Sequence, residues 1–282
     1  MEKIIKVLVV DDSAYNRMII TDMLESSPVV KVVGVALDGE DAIKKAINLK
    51  PDIITLDLEM PRMDGFTFLR IMASNFPIPT IVVSSRSDDP NVFKALELGA
   101  VDFIAKPIHQ ASRELLKIRD ELIYKVGMAG QVSIDRIKTL QVPAVAKSPA
   151  KGIVPSTAGT GFPVVLIGAS TGGPSALQAV LSMLPPDIPS AVAISQHMPP
   201  GFTKTFAERL NKLSPFEVKE AENGDIIRPG RVLISPGGFN MTFIKKGASV
   251  AACLLPGEDM DRYIPSINRM FVSASELFGS RQ

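Results

Sequence analysis

Cysteine is almost missing from this chain: 282 residues contain one, Cys253. An internal disulfide framework is therefore excluded. In "VAACLL" the thiol reads as a buried apolar group rather than a reactive one. Long hydrophobic runs are missing too, and none approaches the roughly 18 residues a membrane span needs. The N-terminal "MEKIIKVLVVDDS" is no signal peptide, because its apolar stretch is short and ends in two aspartates. Excess charge of one sign is lacking: 31 Lys and Arg face 30 Asp and Glu. No overall field draws the chain to nucleic acid, and no basic recognition helix stands out in its C-terminal part. These absences predict a cytoplasmic protein with no nucleic-acid partner and no direct membrane insertion. Histidine is scarce as well, confined to His109 and His197.

Apolar residues are plentiful at 46%, and the length suits two medium domains. In the first part, "IIKVLVV" (4–10), "VVGVA" (32–36), "IITLD" (53–57), "TIVVS" (80–84) and "DFIAK" (102–106) read as strands buried on both faces of a parallel sheet. Amphipathic segments lie between them. Ile19 with Met23 and Ile20 with Leu24 are i,i+4 pairs. "DGEDAIKKAINLKPD" offers Asp38 as a cap, an Ala42–Ile43–Ala46–Ile47 stripe and Pro51 beyond the stop. Gly99 suits a helix C-terminus. This pattern predicts a doubly wound α/β domain over residues 1–124.

Composition shifts after Tyr124 to small residues, prolines and serines, which marks 125–160 as a linker. The α/β rhythm resumes in 161–282. "PVVLIGA" and "SAVAISQ" read as strands. "GPSALQAVLSMLPPD" reads as a helix with Leu177, Val180, Leu181 and Leu184 on one face, and "TKTFAERLNKL" as another with Phe206, Leu210 and Leu213 inward. Shorter strand candidates follow in "FEVKEA", "RVLIS", "MTFIKK" and "SVAACLL", then a helix in "INRMFVSASELFG". The prediction is two doubly wound parallel-sheet domains.

Asp11 and Asp12 follow the first strand, and Asp57 ends the third. In an open parallel sheet such strand ends meet at one rim. Carboxylates gathered there repel one another unless a cation sits among them, and a hard octahedral ion such as Mg²⁺ suits them. Lys106 and Ser84 bring an ammonium and a hydroxyl to the same rim. This set suits a site that takes a phosphoryl group onto a carboxylate. The plain alternative is that they are ordinary polar residues at strand ends.

At "VVDDS", "TLDLEMPRMDG", "VVSSR" and "DFIAKP" the first domain resembles the receiver domain of bacterial response regulators, a flavodoxin-like fold. The resemblance implies Asp57 as phospho-acceptor and a histidine kinase as donor. It implies Mg²⁺ held by Asp11, Asp12, Asp57 and the backbone carbonyl of Glu59. Lys106 would contact the phosphoryl group, Ser84 and Phe103 would be switch residues, and the Lys106–Pro107 bond would be cis.

Gly168–Ala169–Ser170–Thr171–Gly172 has the G-x-S-x-G spacing of a sharp strand-to-helix turn that lifts a serine hydroxyl to the rim. A serine needs a base. His197 follows the next strand, and consecutive parallel strands are usually neighbours, so the two can meet. His109 reads as a surface residue. Three other readings remain. Ser170 could cap the helix while His197 packs as a ring. The glycines could bind a dinucleotide, although the G-x-G-x-x-G spacing is absent. A Walker loop is excluded, since no Gly-Lys-Ser/Thr follows.

"IGASTGGPSAL", "SQHMPPGFTKTFAERLN", "EAENGDIIRPGRVLISPGG" and "PSINRMF" resemble the catalytic domain of the CheB family of chemotaxis protein-glutamate methylesterases. The resemblance implies a Rossmann-like fold, Ser170 as nucleophile and His197 as general base. It implies γ-glutamyl methyl esters, and some glutamine amides, of methyl-accepting chemotaxis receptors as substrates. An unphosphorylated receiver would lie across the esterase cleft.

The family's orienting Asp belongs to a "GMGxDG" segment that no residue here matches, so the expectation is a C-terminally incomplete catalytic domain with impaired activity. Loss of that acid in a comparable triad costs about 10⁴-fold in turnover. Asn240 and Asn268 stand where the family commonly has His and Asp. Glu258, Asp259 and Asp261 are acids nearby in sequence that nothing places beside His197. The alternative function is a phosphorylation-gated interaction module with an inactive esterase-like domain.

Overall fold

A computed structural model describes residues 3–84, 90–106, 112–130, 161–258, 261 and 263–278. The chain forms two compact units, Met1–Gln141 and Val142–Gln282.

In the first unit, β1 (Ile5–Val10), β2 (Val30–Ala36), β3 (Ile53–Leu56), β4 (Thr80–Ser84) and β5 (Asp102–Ala105) alternate with helices. These are α1 (Ala14–Glu25), α2 (Gly39–Leu49), α3 (Gly65–Asn75), α4 (Pro90–Glu97) and α5 (Ser112–Ala129). The strands are parallel in the order β2-β1-β3-β4-β5. The order reverses between β1 and β3, whose carboxyl ends carry Asp11, Asp12 and Asp57.

Local chemistry fixes the helix starts. Ser13, Asp38 and Asp64 each accept an N–H of the first turn, from Asn16, Asp41 and Thr67. The core joins Val7, Val9, Ile53, Ile81, Val83 and Ile104 to Ile20 and Leu24 of α1 and Leu122 and Val126 of α5. Val126 and Ala129 are buried there, so α5 runs past the compositional shift at Tyr124 to Ala129. Lys125 is buried with them. Its ammonium pairs with Asp102 at 3.1 Å and Glu121 at 3.0 Å, and donates to the Phe103 carbonyl at 2.6 Å.

In the second unit, β6 (Val164–Ala169), α6 (Gly173–Met183), β7 (Ala191–Gln196), α7 (Phe202–Leu213), β8 (Glu217–Glu220) and β9 (Arg231–Ile234) build a parallel sheet ordered β6-β7-β9-β8. β10 (Phe239–Lys246) and β11 (Ser249–Pro256) instead form a separate antiparallel hairpin, closed at Gly247, which has φ +62°. A connection this short cannot make the crossover that parallel pairing needs. α8 (Ile267–Phe278) lays Met270 and Ala274 on Met241, Phe243 and Ala252.

Two predicted stripes are narrower than expected. Ala42 with Ala46, and Leu177 with Leu181, are buried i,i+4 pairs. Ile47 and Val180 are exposed, because each sits about 100° around its helix from the buried line. Leu213, expected inward, is the last residue of α7 and is exposed. Among the described residues no helix is long and apolar enough to cross a membrane.

Candidate active site

The register Gly168↔Ser195 and Ala169↔Gln196 carries β6 and β7 side by side to their carboxyl ends. The His197 N–H donates to the Ala169 carbonyl at 3.0 Å and extends the pairing by one residue. Ser170 and His197 therefore leave adjacent strands at the same level. The Ser170 Oγ lies 3.1 Å from His197 Nδ1. With that nitrogen unprotonated, the hydroxyl donates to it, which is the ground-state geometry of a nucleophile and its base.

The chain turns sharply after Ser170. Gly172 has φ +77°, a conformation glycine adopts without a Cβ clash, and Gly173 opens α6 by donating to the Ser170 carbonyl at 2.7 Å. Pro174 fills the first turn, where its missing N–H costs nothing.

Sequence reasoning missed several residues here. Tyr263 stacks on the His197 ring with centroids 4.8 Å apart and planes 24° apart. Charge anchors Asp261, two residues before it. Asp261 accepts from Asn240 Nδ2 and from Arg269 Nε, both at 2.7 Å, and Arg269 also reaches Glu258 at 2.7 Å. The buried Asn240 amide is used at both ends, since its oxygen accepts the Ser266 N–H at 2.7 Å. Burial pushes the Asp261 carboxyl up, but the Glu258 N–H, the Asn240 amide and the Arg269 guanidinium together hold it below the ordinary aspartate value. Asp261 and Glu258 thus serve Arg269. Asn268 is exposed on α8.

The other predicted site lies in the first unit. One carboxylate oxygen from each of Asp11, Asp12 and Asp57 falls within 4.8 Å of the others. Lys106 Nζ sits 2.7 Å from both Asp11 Oδ2 and Asp57 Oδ2. Burial, and then the charge of Asp11, raise the Asp57 carboxyl against the pull of Lys106. Burial alone would lower the Lys106 ammonium, but its hydrogen bonds to Asp11 and Asp57 carry it above the ordinary lysine value.

Two neighbours the sequence reading did not name shape this pocket. Asn16 donates to the Asp11 carboxylate at 3.1 Å, and Arg17 bridges the Asp11 and Asp12 carbonyls at 2.7 and 3.0 Å. The Glu59 N–H approaches Asp57 Oδ1 at 3.4 Å. Phe103 is buried under Lys125, whose Nζ lies 5.3 Å from the ring centroid. Ser84 closes β4, its backbone in register with Ala105. His109, the Lys106–Pro107 bond and Asp259 lie outside the described residues. Three hard oxygen donors beside an ammonium have the chemistry of a divalent-cation and phosphoryl pocket.

Comparison with known proteins agrees with this layout. The response regulator receiver domain model matches residues 7–118, and the CheB methylesterase model matches 165–282. The chain is 53% identical to protein-glutamate methylesterase/protein-glutamine glutaminase 3 of Geobacter sulfurreducens, over 98% of this chain and 79% of that protein. The chain belongs to the CheB methylesterase family. A second CheB-type relative, protein-glutamate methylesterase/protein-glutamine glutaminase 1 of Myxococcus xanthus, is 45% identical over 99% of this chain and 78% of its own length. Among solved structures, the response regulator domain of Thermotoga maritima CheB is 44% identical, covering 46% of this chain and 99% of that domain with a TM-score of 0.43.

Proposed function

We propose that this chain is a phosphorylation-regulated serine esterase that hydrolyses glutamate γ-methyl esters, and deamidates glutamines, on chemotaxis receptors. The observation that carries the reading is the 3.1 Å approach of Ser170 Oγ to His197 Nδ1. The names of the relatives supply the substrate class.

In this mechanism Ser170 Oγ attacks the ester carbonyl carbon while His197 Nδ1 takes its proton. The tetrahedral adduct expels the methoxy group, which leaves as methanol with the proton from the imidazolium. Water then attacks the glutamyl–serine ester, giving a proton to Nδ1. The tetrahedral adduct releases the glutamic acid, which gives its own proton to solvent, and Ser170 Oγ recovers the proton held at Nδ1. On glutamine the departing group is ammonia. A positioned base of this kind contributes about 10²–10⁴-fold.

The N-terminal unit reads as the control element, with a receiver that extends beyond 124 to the end of α5 at Ala129, a linker from there to 160 and the catalytic domain over 161–282. Asp57 is the phospho-acceptor and a chemotaxis histidine kinase the donor. Asp11, Asp12, Asp57 and the Glu59 carbonyl would hold Mg²⁺, which supplies charge neutralisation for the phosphoryl oxygens. Lys106 contacts the phosphoryl group, and Ser84 and Phe103 relay its presence. Phosphorylation then shifts a population toward the active state. Both partners act in the cytoplasm, where this reading places the chain.

Methanol release from methylated receptor membranes tests the proposal. Release that depends on Ser170 supports it. Release that is absent after phosphorylation, with Ser170→Ala identical to the parent, replaces it with the interaction-module reading.

A further inference from the structure

Gln196, the last residue of β7, lies between the nucleophile and the base and is 1% exposed. Its single amide nitrogen donates to two carbonyls, that of Ser170 at 3.1 Å and that of His197 at 3.0 Å. The amide oxygen has no hydrogen-bond partner among the described residues. That oxygen faces Gly173, where an added Cβ would stand 1.9 Å from it. The orientation of the amide is therefore fixed. Turned over, it would set its oxygen against two carbonyl oxygens.

A buried acceptor without a partner costs stability, and an apolar side chain would remove that cost only by taking the donor from the Ser170 and His197 carbonyls. The glutamine is kept for the two bonds its nitrogen donates, and both run to the backbone of the serine–imidazole pair. Buried polar groups that break this rule concentrate where function requires them.

We infer that Gln196 is a positioning residue whose amide ties the backbones of nucleophile and base together, holding Ser170 Oγ at His197 Nδ1. The inference rests on the serine–imidazole reading above. Gly173 belongs to the same device, because the helix must start without a side chain for the amide to fit. A misplacement near 1 Å in such a pair costs about 10²-fold in rate.

The test uses the full chain and the ring resonances of His197, which has one other histidine to be told from. Gln196→Met keeps the volume and removes the donors. Gln196→Leu also removes the donors without adding a titratable group, and it serves the same purpose where methionine disturbs the fold. The imidazole is titrated in the parent, in Ser170→Ala, in each Gln196 variant and in the double variants. The expected result is that Ser170→Ala moves the titration of His197 in the parent and moves it far less once Gln196 is replaced. Hydrolysis of a glutamyl methyl ester should then show kcat down about 10²-fold with KM little changed.

An equal effect of Ser170→Ala with and without the Gln196 amide, or kcat unchanged in a folded Gln196 variant, overturns the clamp and leaves the esterase reading standing. No effect of Ser170→Ala in the parent overturns the serine–imidazole pair itself, and the clamp with it.

Discussion

A hydroxyl beside an imidazole becomes a reagent only if the ring keeps its angle. Tyr263 supplies one restraint through its stack on His197. An aromatic stack contributes about 0.5–1.5 kcal/mol beyond its buried area. Tyr263→Phe keeps that face, so its kcat/KM on a glutamyl methyl ester peptide should match the parent. Tyr263→Ala loses it, and kcat/KM should fall about tenfold, as expected for roughly 1.4 kcal/mol. A second residue-level balance lies in the aspartate pocket, where Asp11 and Asp57 share the Lys106 ammonium and Asp12 stands close by. Removing Lys106 strands Asp11 and Asp57, both largely buried, whereas removing the Asp57 charge relieves repulsion. In metal-free buffer, Lys106→Met should destabilise the first unit by about 3 kcal/mol, while Asp57→Asn should leave it as stable as the parent or more so. Urea unfolding of both variants checks the order, and the reverse order would refute it. Ser170, His197, Asp57 and Lys106 were legible because few side chains carry their chemistry and all four end strands. Gln196, Tyr263, Asn16 and Arg17 were not, because what an amide, a phenol or a guanidinium does depends on where it points. One signal was readable: Gln196 is a polar residue ending a strand that is buried throughout, and such a group needs a partner.

At the scale of elements, the sequence carried the parallel strands and the helices packed on them, since apolar runs and caps are local features. It did not separate the β10–β11 hairpin from the sheet, although the glycine between "FIKK" and "SVAA" leaves no room for a crossover. The placement of Asp261 was the least legible. Asp261 bonds to Asn240 on the hairpin and to Arg269 on α8, and neither partner can be named from the local sequence. The Asp261 carboxyl is held below its ordinary value in the folded chain. The folded state therefore binds this proton less tightly than the unfolded state does. Its stabilisation is complete above the unfolded value, about 3.9, and is lost as pH falls through the lower folded value. The melting temperature of the second unit should thus drop more steeply between about pH 4 and pH 2 in the parent than in Asp261→Asn. Parallel curves for the two proteins would show that the Asp261 contacts do not stabilise the second unit.

At the scale of the molecule, two units are joined within the proline- and serine-rich stretch, dividing between Gln141 and Val142. Length and composition were enough to expect two domains, and the two motif sets assigned a separate chemistry to each. Coupling between them is a free-energy difference that neither unit reveals alone. A tenfold rise in hydrolysis on phosphorylation corresponds to about 1.4 kcal/mol of preference for the active population, within reach of one aspartyl phosphate and its new contacts. Methanol release by the full chain should therefore rise about tenfold or more when Mg²⁺ and a small phosphodonor are added together. Asp57→Asn should abolish the response. Ser170→Ala should abolish release while still taking up phosphate, because its own unit holds no part of the acceptor pocket. A phosphodonor response that survives in Asp57→Asn would remove the receiver from control of the esterase, whatever becomes of the serine–imidazole pair.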